Sequence, residues 1–203
     1  MGQQYFAEQP AARRRPGLVH VVTPDLHLEL ATDSGMFSPS RLDPGTRLLL
    51  DTAPPPPADG NLLDLGSGYG PLALVLGARS PGARVWAVDV NTRALELCSA
   101  NAERAGLANV RCAAPDDPAV PAAFGLIWSN PPIRIGKPAL HALLATWLAR
   151  LEPAAAAYLV VQRHLGSDSL QRWLESTGWP AERVAARSGY RVLRVQSMPG
   201  GAR

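Results

Sequence analysis

Apolar runs alternating with helical stretches from Asn61 onward, a glycine-rich turn after the first of those runs, and a separate alternating stretch near the N-terminus predict an α/β fold. The expected architecture is a doubly wound, mostly parallel sheet of seven strands, finished by an antiparallel C-terminal hairpin and preceded by a small N-terminal β-hairpin. With 203 residues, 46% hydrophobic and 18% charged, the chain suffices for one substantial core and is short for two.

Each element has a local reason. From Gly17 to Ser38, GLVHVVTPDLHLELATDSGMFS alternates apolar with polar residues about Thr23-Pro24-Asp25, the pattern of a hairpin. LDPGTRLLLDT follows as a short helix, and Pro54 to Pro57 can continue no regular element. Residues 1–53 are therefore read as leader, hairpin and helix, 54–60 as an extended connector, and 61–198 as the main domain. In that domain NLLDL, VWAVDV, VRCAA, FGLIWSN and AAYLVVQ read as strands buried on both faces. PLALVLGARS, TRALELCSANAERAG, ALHALLATWLARL and SLQRWLESTG read as helices. Arg183 to Gln196 reads as two strands about Ser188-Gly189.

Composition excludes several classes. The net charge of +3 is mild despite a pI of about 9.2, so charge alone does not establish nucleic-acid binding. Cys98 and Cys112 lack metal-type spacing and read as buried free thiols. No apolar run approaches the length of a membrane span and no signal peptide is visible, so a soluble, cytoplasmic protein is expected. Arg13 to Arg15 read as a solvated leader, His20, His27, His141 and His164 have no metal spacing, and the five tryptophans read mainly as core.

The first parallel strand ends in DLGSGYG, residues 64–70. Glycines there permit a tight turn and close approach of a ligand to the main chain. A dinucleotide fingerprint would need glycine at position 71, which is Pro71; the glycines are Gly66, Gly68 and Gly70. Asp64, just ahead of the loop, would repel a pyrophosphate but attract a cation. S-adenosylmethionine, with an ammonium, a sulfonium and no phosphate, meets that requirement. Asp89 ends the second strand 23 positions after Gly66, where a carboxylate can accept both hydroxyl hydrogens of a ribose. The plainer reading is that Asp64 and Asp89 only cap turns.

After the fourth strand of the main domain comes Asn130-Pro131-Pro132-Ile133. An exocyclic base amine donating to the Asn130 side-chain oxygen and the Pro131 carbonyl would have its lone pair localised for attack, with no strong base required. Arg134 and Lys137 flank the motif and can meet nucleic-acid phosphates, or can be an ordinary pair of solvated cations.

FSPSRLDPGTRLLL, DLGSGYGPLAL, AVDVNTRALELCSANAE and WSNPPIRIGK together resemble the small-domain class I methyltransferases, whose best-known members methylate guanine on its exocyclic amine in small-subunit ribosomal RNA. The similarity runs from about Tyr5 to Val195. It implies a Rossmann-like fold, S-adenosylmethionine as cofactor and ribosomal RNA or the small ribosomal subunit as partner. The cofactor pocket it implies includes Asp64, Gly66, Gly68, Gly70 and Asp89, with Phe37 and Thr46 closing the methionine end and Asn130 to Pro132 at the reacting centre. Two departures stand out. Ile133 occupies the place of a base-stacking aromatic residue, and Cys112-Ala113-Ala114 stands where many relatives have an acid, a role Asp116 or Asp117 can take. Methylation of a protein glutamine or small amine, and a non-catalytic RNA-binding module, are the alternatives.

Overall fold

The computed structural model describes residues 16–33, 38 and 40–197. Among them β1 (Pro16–Val22) and β2 (His27–Asp33) form the antiparallel hairpin, turning where the Thr23 amide donates to Leu26. Helix α1 (Pro44–Thr52) follows, with the Asp43 side chain accepting from the Gly45 and Thr46 amides and Pro44 in the first turn, where its missing N–H is no loss.

The main sheet comprises β3 (Asn61–Leu65), β4 (Arg84–Val88), β5 (Val110–Ala113), β6 (Phe124–Ser129), β7 (Leu151–Gln162), β8 (Ala181–Arg187) and β9 (Tyr190–Gln196). Its order is β5-β4-β3-β6-β7-β9-β8, with the first five parallel and β9 antiparallel to both β7 and β8. The chain leaves β3 toward β4 and β5 and later returns on the other side through β6 and β7. The crevice between β3 and β6 is therefore the place where the connections diverge, and where a ligand can reach the strand ends. Ser188 and Gly189, both at positive φ (51° and 80°), make the turn between β8 and β9. β7 begins earlier than AAYLVVQ, at Leu151, and its register shifts between Phe124 and Leu126 of β6 as Ala154 takes positive φ.

Alternating side chains divide the core into two layers. Leu62 and Trp128 face the layer built by the hairpin, α1, α2 (Pro71–Arg79) and α3 (Thr92–Arg104). Leu63 and Ile127 face the one built by α4 (Lys137–Leu148) and α5 (Ser167–Ser176). Trp86, Trp128, Trp147 and Trp179 are buried, while Trp173 is half-buried and stacks on His141 with centroids 3.9 Å apart.

The hairpin is fastened to the sheet by polar groups as well as by Val19, Val21 and Leu30. Asn101 of α3 is fully buried; its amide donates to the Ala31 and Tyr69 carbonyls at 2.9 Å and its oxygen accepts from the Ala31 amide at 2.8 Å. Arg79 pairs with Asp25 through two 2.9 Å bonds, and Arg93 with Asp33. Asn101→Ala leaves several groups without partners and should cost ~1–3 kcal/mol in urea unfolding. Hydrogen exchange should show loss of protection concentrated in β2; uniform loss throughout the sheet would contradict this role for Asn101.

Candidate active site

A pocket of about 510 Å³ opens at the C-terminal ends of β3, β4 and β6. Its floor is the turn after β3. Gly66, Gly68 and Gly70 all have positive φ (74°, 56° and 97°), and the Gly66 and Ser67 amides donate to the Val88 carbonyl, tying the turn to the end of β4. At Gly70 space adds a second constraint, because a β-carbon would lie 2.5 Å from the Cys98 sulfur.

Two carboxylates sit in this floor. Asp64 is 1% exposed; Oδ2 accepts from the Ala73 amide of α2 at 2.8 Å, and Oδ1 has no protein partner. Burial pushes its pKa up to about 8, opposed by the Ala73 bond. Asp89 accepts from the Gly68 amide on Oδ2 at 2.8 Å and from the Asn91 amide on Oδ1 at 2.9 Å. Burial raises its pKa as well, against those backbone bonds. A carboxylate has about four lone-pair positions, and with the Val90 backbone bond counted beside those two, acceptor capacity remains for a ligand hydroxyl. The capping role is thus real for both acids, and it leaves acceptor capacity unused in each.

The opposite wall is assembled around Asn130. Its Nδ2 donates to Asp43 Oδ1 at 2.9 Å and to Thr46 Oγ1 at 3.0 Å, contacts that span 87 and 84 residues of sequence. Neither bond uses the Asn130 oxygen. The Pro131 carbonyl accepts from the Ile133 amide at 2.8 Å, which leaves it one lone pair. Tyr190 at the start of β9 lies across Gly45, where a β-carbon would meet its ring at 2.6 Å, and its hydroxyl is 3.5 Å from Asp43 Oδ2. Burial and the nearby Asp43 carboxylate push the Tyr190 phenol up.

Asp64, Gly66, Gly68, Asp89, Thr46, Asn130, Pro131, Pro132, Ile133 and Arg134 all border this one pocket. Gly70 stands just outside its wall as the N-cap of α2, Lys137 is exposed in the first turn of α4 and off the wall, and Phe37 lies outside the described residues. After β5 it is Pro115 that borders the pocket. Asp116 is exposed and Asp117 accepts from the Ala119 amide at 2.8 Å, and neither borders the pocket. Sequence reasoning gave no role to Asp43, Arg41, Tyr190 or Leu165, which also border it. The only signal was Asp43-Pro44-Gly45-Thr46, a helix-cap pattern whose glycine now has a packing reason. No group of three His, Cys, Asp or Glu suited to a metal occurs among the described residues, and none of their helices is long and apolar enough to cross a membrane.

Known proteins share this chain's sequence and fold. The chain is 31% identical to the uncharacterized protein YbxB of Bacillus subtilis, over 98% of this chain and all of that one. Ribosomal RNA small subunit methyltransferase C of Pseudomonas aeruginosa is 32% identical over 85% of this chain and 52% of its own length. The corresponding protein of Aeromonas hydrophila is 37% identical over 62% of this chain and 36% of its own. The chain thus spans about half or less of those two longer relatives. A solved T. thermophilus 16S rRNA guanine-N2 methyltransferase, in complex with AdoMet and guanosine, superposes with a TM-score of 0.73 at 23% identity, over 93% of this chain and 52% of that one. The family model described as methyltransferase small domain matches residues 27–194, and the chain belongs to that family.

Proposed function

We propose that the protein transfers a methyl group to the exocyclic amine of a nucleobase, guanine in small-subunit ribosomal RNA, and works in the cytoplasm. The observation that carries the reading is the free oxygen of Asn130 beside the Pro131 carbonyl, in one pocket with the buried Asp64, one of whose oxygens has no protein partner, and the half-buried Asp89. The names of the longer relatives, and the guanosine in the T. thermophilus complex, support the choice of base and RNA.

As a member of the methyltransferase family the protein uses S-adenosylmethionine, which supplies an electrophilic methyl on a sulfonium. The residues present fit that group. Asp64 offers a desolvated oxygen with no protein partner, suited to an ammonium, and Asp89 retains acceptor capacity for a ribose hydroxyl. Gly66 and Gly68 let the main chain approach closely, and Thr46 stands beside Asn130.

On the substrate side, one amine hydrogen donates to Asn130 Oδ1 and the other to the remaining lone pair of Pro131. Both bonds strengthen as the nitrogen becomes positive, so they favour the transition state over the ground state. Holding the nitrogen toward the methyl donor would add to the acceleration, and the surplus proton on the methylated nitrogen leaves to solvent after transfer. Tyr190 provides the aromatic face that Ile133 lacks, and the two can cover opposite sides of a flipped base. Arg41 and Arg134 at the same end, both close enough to Tyr190 to act on its phenol, suit flanking phosphates. A protein glutamine amide could make the same two hydrogen bonds, but it needs neither the ring nor the cations.

Asn130→Ala should lower kcat by roughly 10²–10³ while S-adenosylmethionine affinity changes little. Single-turnover rates and calorimetry on the same preparation separate the two, and a pure binding defect would remove Asn130 from the reacting centre. Labelled methyl transfer to deproteinised small subunits tests the substrate; label entering only protein would transfer the reading to glutamine. Replacing Arg41 and Arg134 together with Ala should raise the RNA KM and flatten its salt dependence by about one unit of slope for each phosphate no longer engaged.

Asp64 yields a prediction with a pH sign. Its folded pKa of about 8 lies above the ordinary carboxylate value of 3.8. The stability tied to it is therefore fully present below the unfolded pKa and is lost as pH rises toward 8. The Asp64→Asn variant, lacking the ionisation, should show a flatter dependence of melting temperature on pH across that window. At pH 7 the wild type should release close to one proton on binding S-adenosylmethionine, because the arriving ammonium favours the carboxylate. Calorimetric heats that do not vary with the buffer's ionisation enthalpy would contradict this.

A further inference from the structure

Resting on the proposed chemistry at Asn130, we infer that Asp43 is a positioning residue for the transfer: it fixes the rotation of the Asn130 amide so that oxygen, never nitrogen, faces the substrate.

A carboxamide presents oxygen and NH2 at nearly the same place, and a half-turn about its last bond exchanges an acceptor for a donor. The proposed site works only in one of the two states, since an NH2 turned toward the substrate amine would set donor against donor. Asp43 removes the ambiguity, because its carboxylate only accepts and can face nothing but the Asn130 NH2. Thr46 Oγ1 takes the same nitrogen at 3.0 Å, but a hydroxyl can serve either orientation, so the choice falls to Asp43.

Asp43 is itself over-determined. Oδ1 accepts from the Gly45 amide at 2.8 Å and the Thr46 amide at 3.0 Å, which locks the carboxylate to the first turn of α1. The residue is 6% exposed, and the Tyr190 ring fills the space above Gly45. Helix α1 in turn packs on β7 and β9, so the acceptor is held by the sheet rather than by a loose segment. The arrangement explains why a helix cap remote in sequence borders the pocket.

Three roles for Asp43 give different results. A plain helix cap can be kept by Asp43→Ser, because serine caps helices well; its hydroxyl, one bond shorter, cannot also hold Asn130. A charge effect would be lost in Asp43→Asn, whereas positioning would survive, since the oxygen of the replacing carboxamide can keep both backbone bonds and still accept from Asn130. Turnover on small-subunit RNA with labelled S-adenosylmethionine should fall about 30–300-fold in Asp43→Ser. Its melting temperature and cofactor Kd should stay near wild type, and Asp43→Asn should recover activity to within about tenfold. A substrate-free measurement runs beside the assay: the Asn130 side-chain amide, identified in nitrogen-labelled protein by its loss in Asn130→Ala. It should exchange with solvent at least about tenfold faster in Asp43→Ser than in wild type or Asp43→Asn. Full turnover in Asp43→Ser, equal loss in Asp43→Asn, or unchanged amide exchange would each overturn the inference. A wild-type protein inactive on RNA would instead overturn the substrate reading, and the amide measurement would still decide the role of Asp43.

Discussion

One oxygen of Asp64 is bonded to the first turn of α2 and the other has no protein partner, although the residue is almost wholly buried at the end of a central strand. A lone carboxylate in that position is costly, and the protein answers by retaining the proton, with the pKa driven up to about 8. The surroundings follow from keeping it there. The chain must turn sharply to start α2 with its amides toward the acid, hence glycines at positive φ. The turn is then pinned by the Val88 carbonyl, which brings Asp89 beside the Gly68 amide. An entering cation favours the ionised form of Asp64 and so meets a carboxylate there, beside Asp89. A phosphate-bearing ligand would oppose that ionisation.

The second wall of the pocket comes from chain that precedes the sheet. Helix α1 brings Asp43 and Thr46 to Asn130, and the β1–β2 hairpin is tied through Asn101 to the same α3 that supports the glycine turn from below with Cys98. Asn101 also holds the Tyr69 carbonyl, in the turn itself. The N-terminal segment therefore contributes to the shape of the site as well as to the core. Charge is sorted along the pocket, with Asp64 and Asp89 at the inner end and Arg41 and Arg134 at the mouth. A cationic donor and a polyanionic acceptor would each meet the end of opposite sign.

The parts that sequence made legible are those whose cause is local. Gly66, Gly68 and Gly70 advertise positive φ, Pro131 and Pro132 a fixed backbone, and the alternation of strands and helices a parallel sheet; each survives in the structure because it depends on neighbours within a few residues. The hairpin turn at Ser188-Gly189 was visible for the same reason. Tyr190 was not, since its place over Gly45 arises from the antiparallel return of β9, 147 residues after Asp43. Asp43 was passed over as well: its neighbours could at most have suggested a cap, because a cap has a signature and a contact across 87 residues has none. The acid sought after β5 is the opposite case: Asp116 and Asp117 lie at the right distance in sequence, but neither borders the pocket, Asp117 accepting from the Ala119 amide in a local turn and Asp116 lying in solvent.

What separates a nucleobase from an amide substrate is consequently not the Asn-Pro-Pro motif. Asn130 and Pro131 offer two acceptors and nothing else, and any NH2 group conjugated to a π-system satisfies them equally. Discrimination has to come from the surfaces that meet the remainder of the substrate. A flipped base needs flat apolar cover on both faces and positive charge for its phosphates, whereas an extended peptide needs backbone hydrogen-bond partners. Ile133 and Tyr190 are the pocket residues suited to the first, and Arg41 and Arg134 to the second, from three separate places in the chain. The loss of an aromatic residue at position 133 therefore does not weaken the case for a base, because the fold brings an aromatic ring to the same pocket from β9.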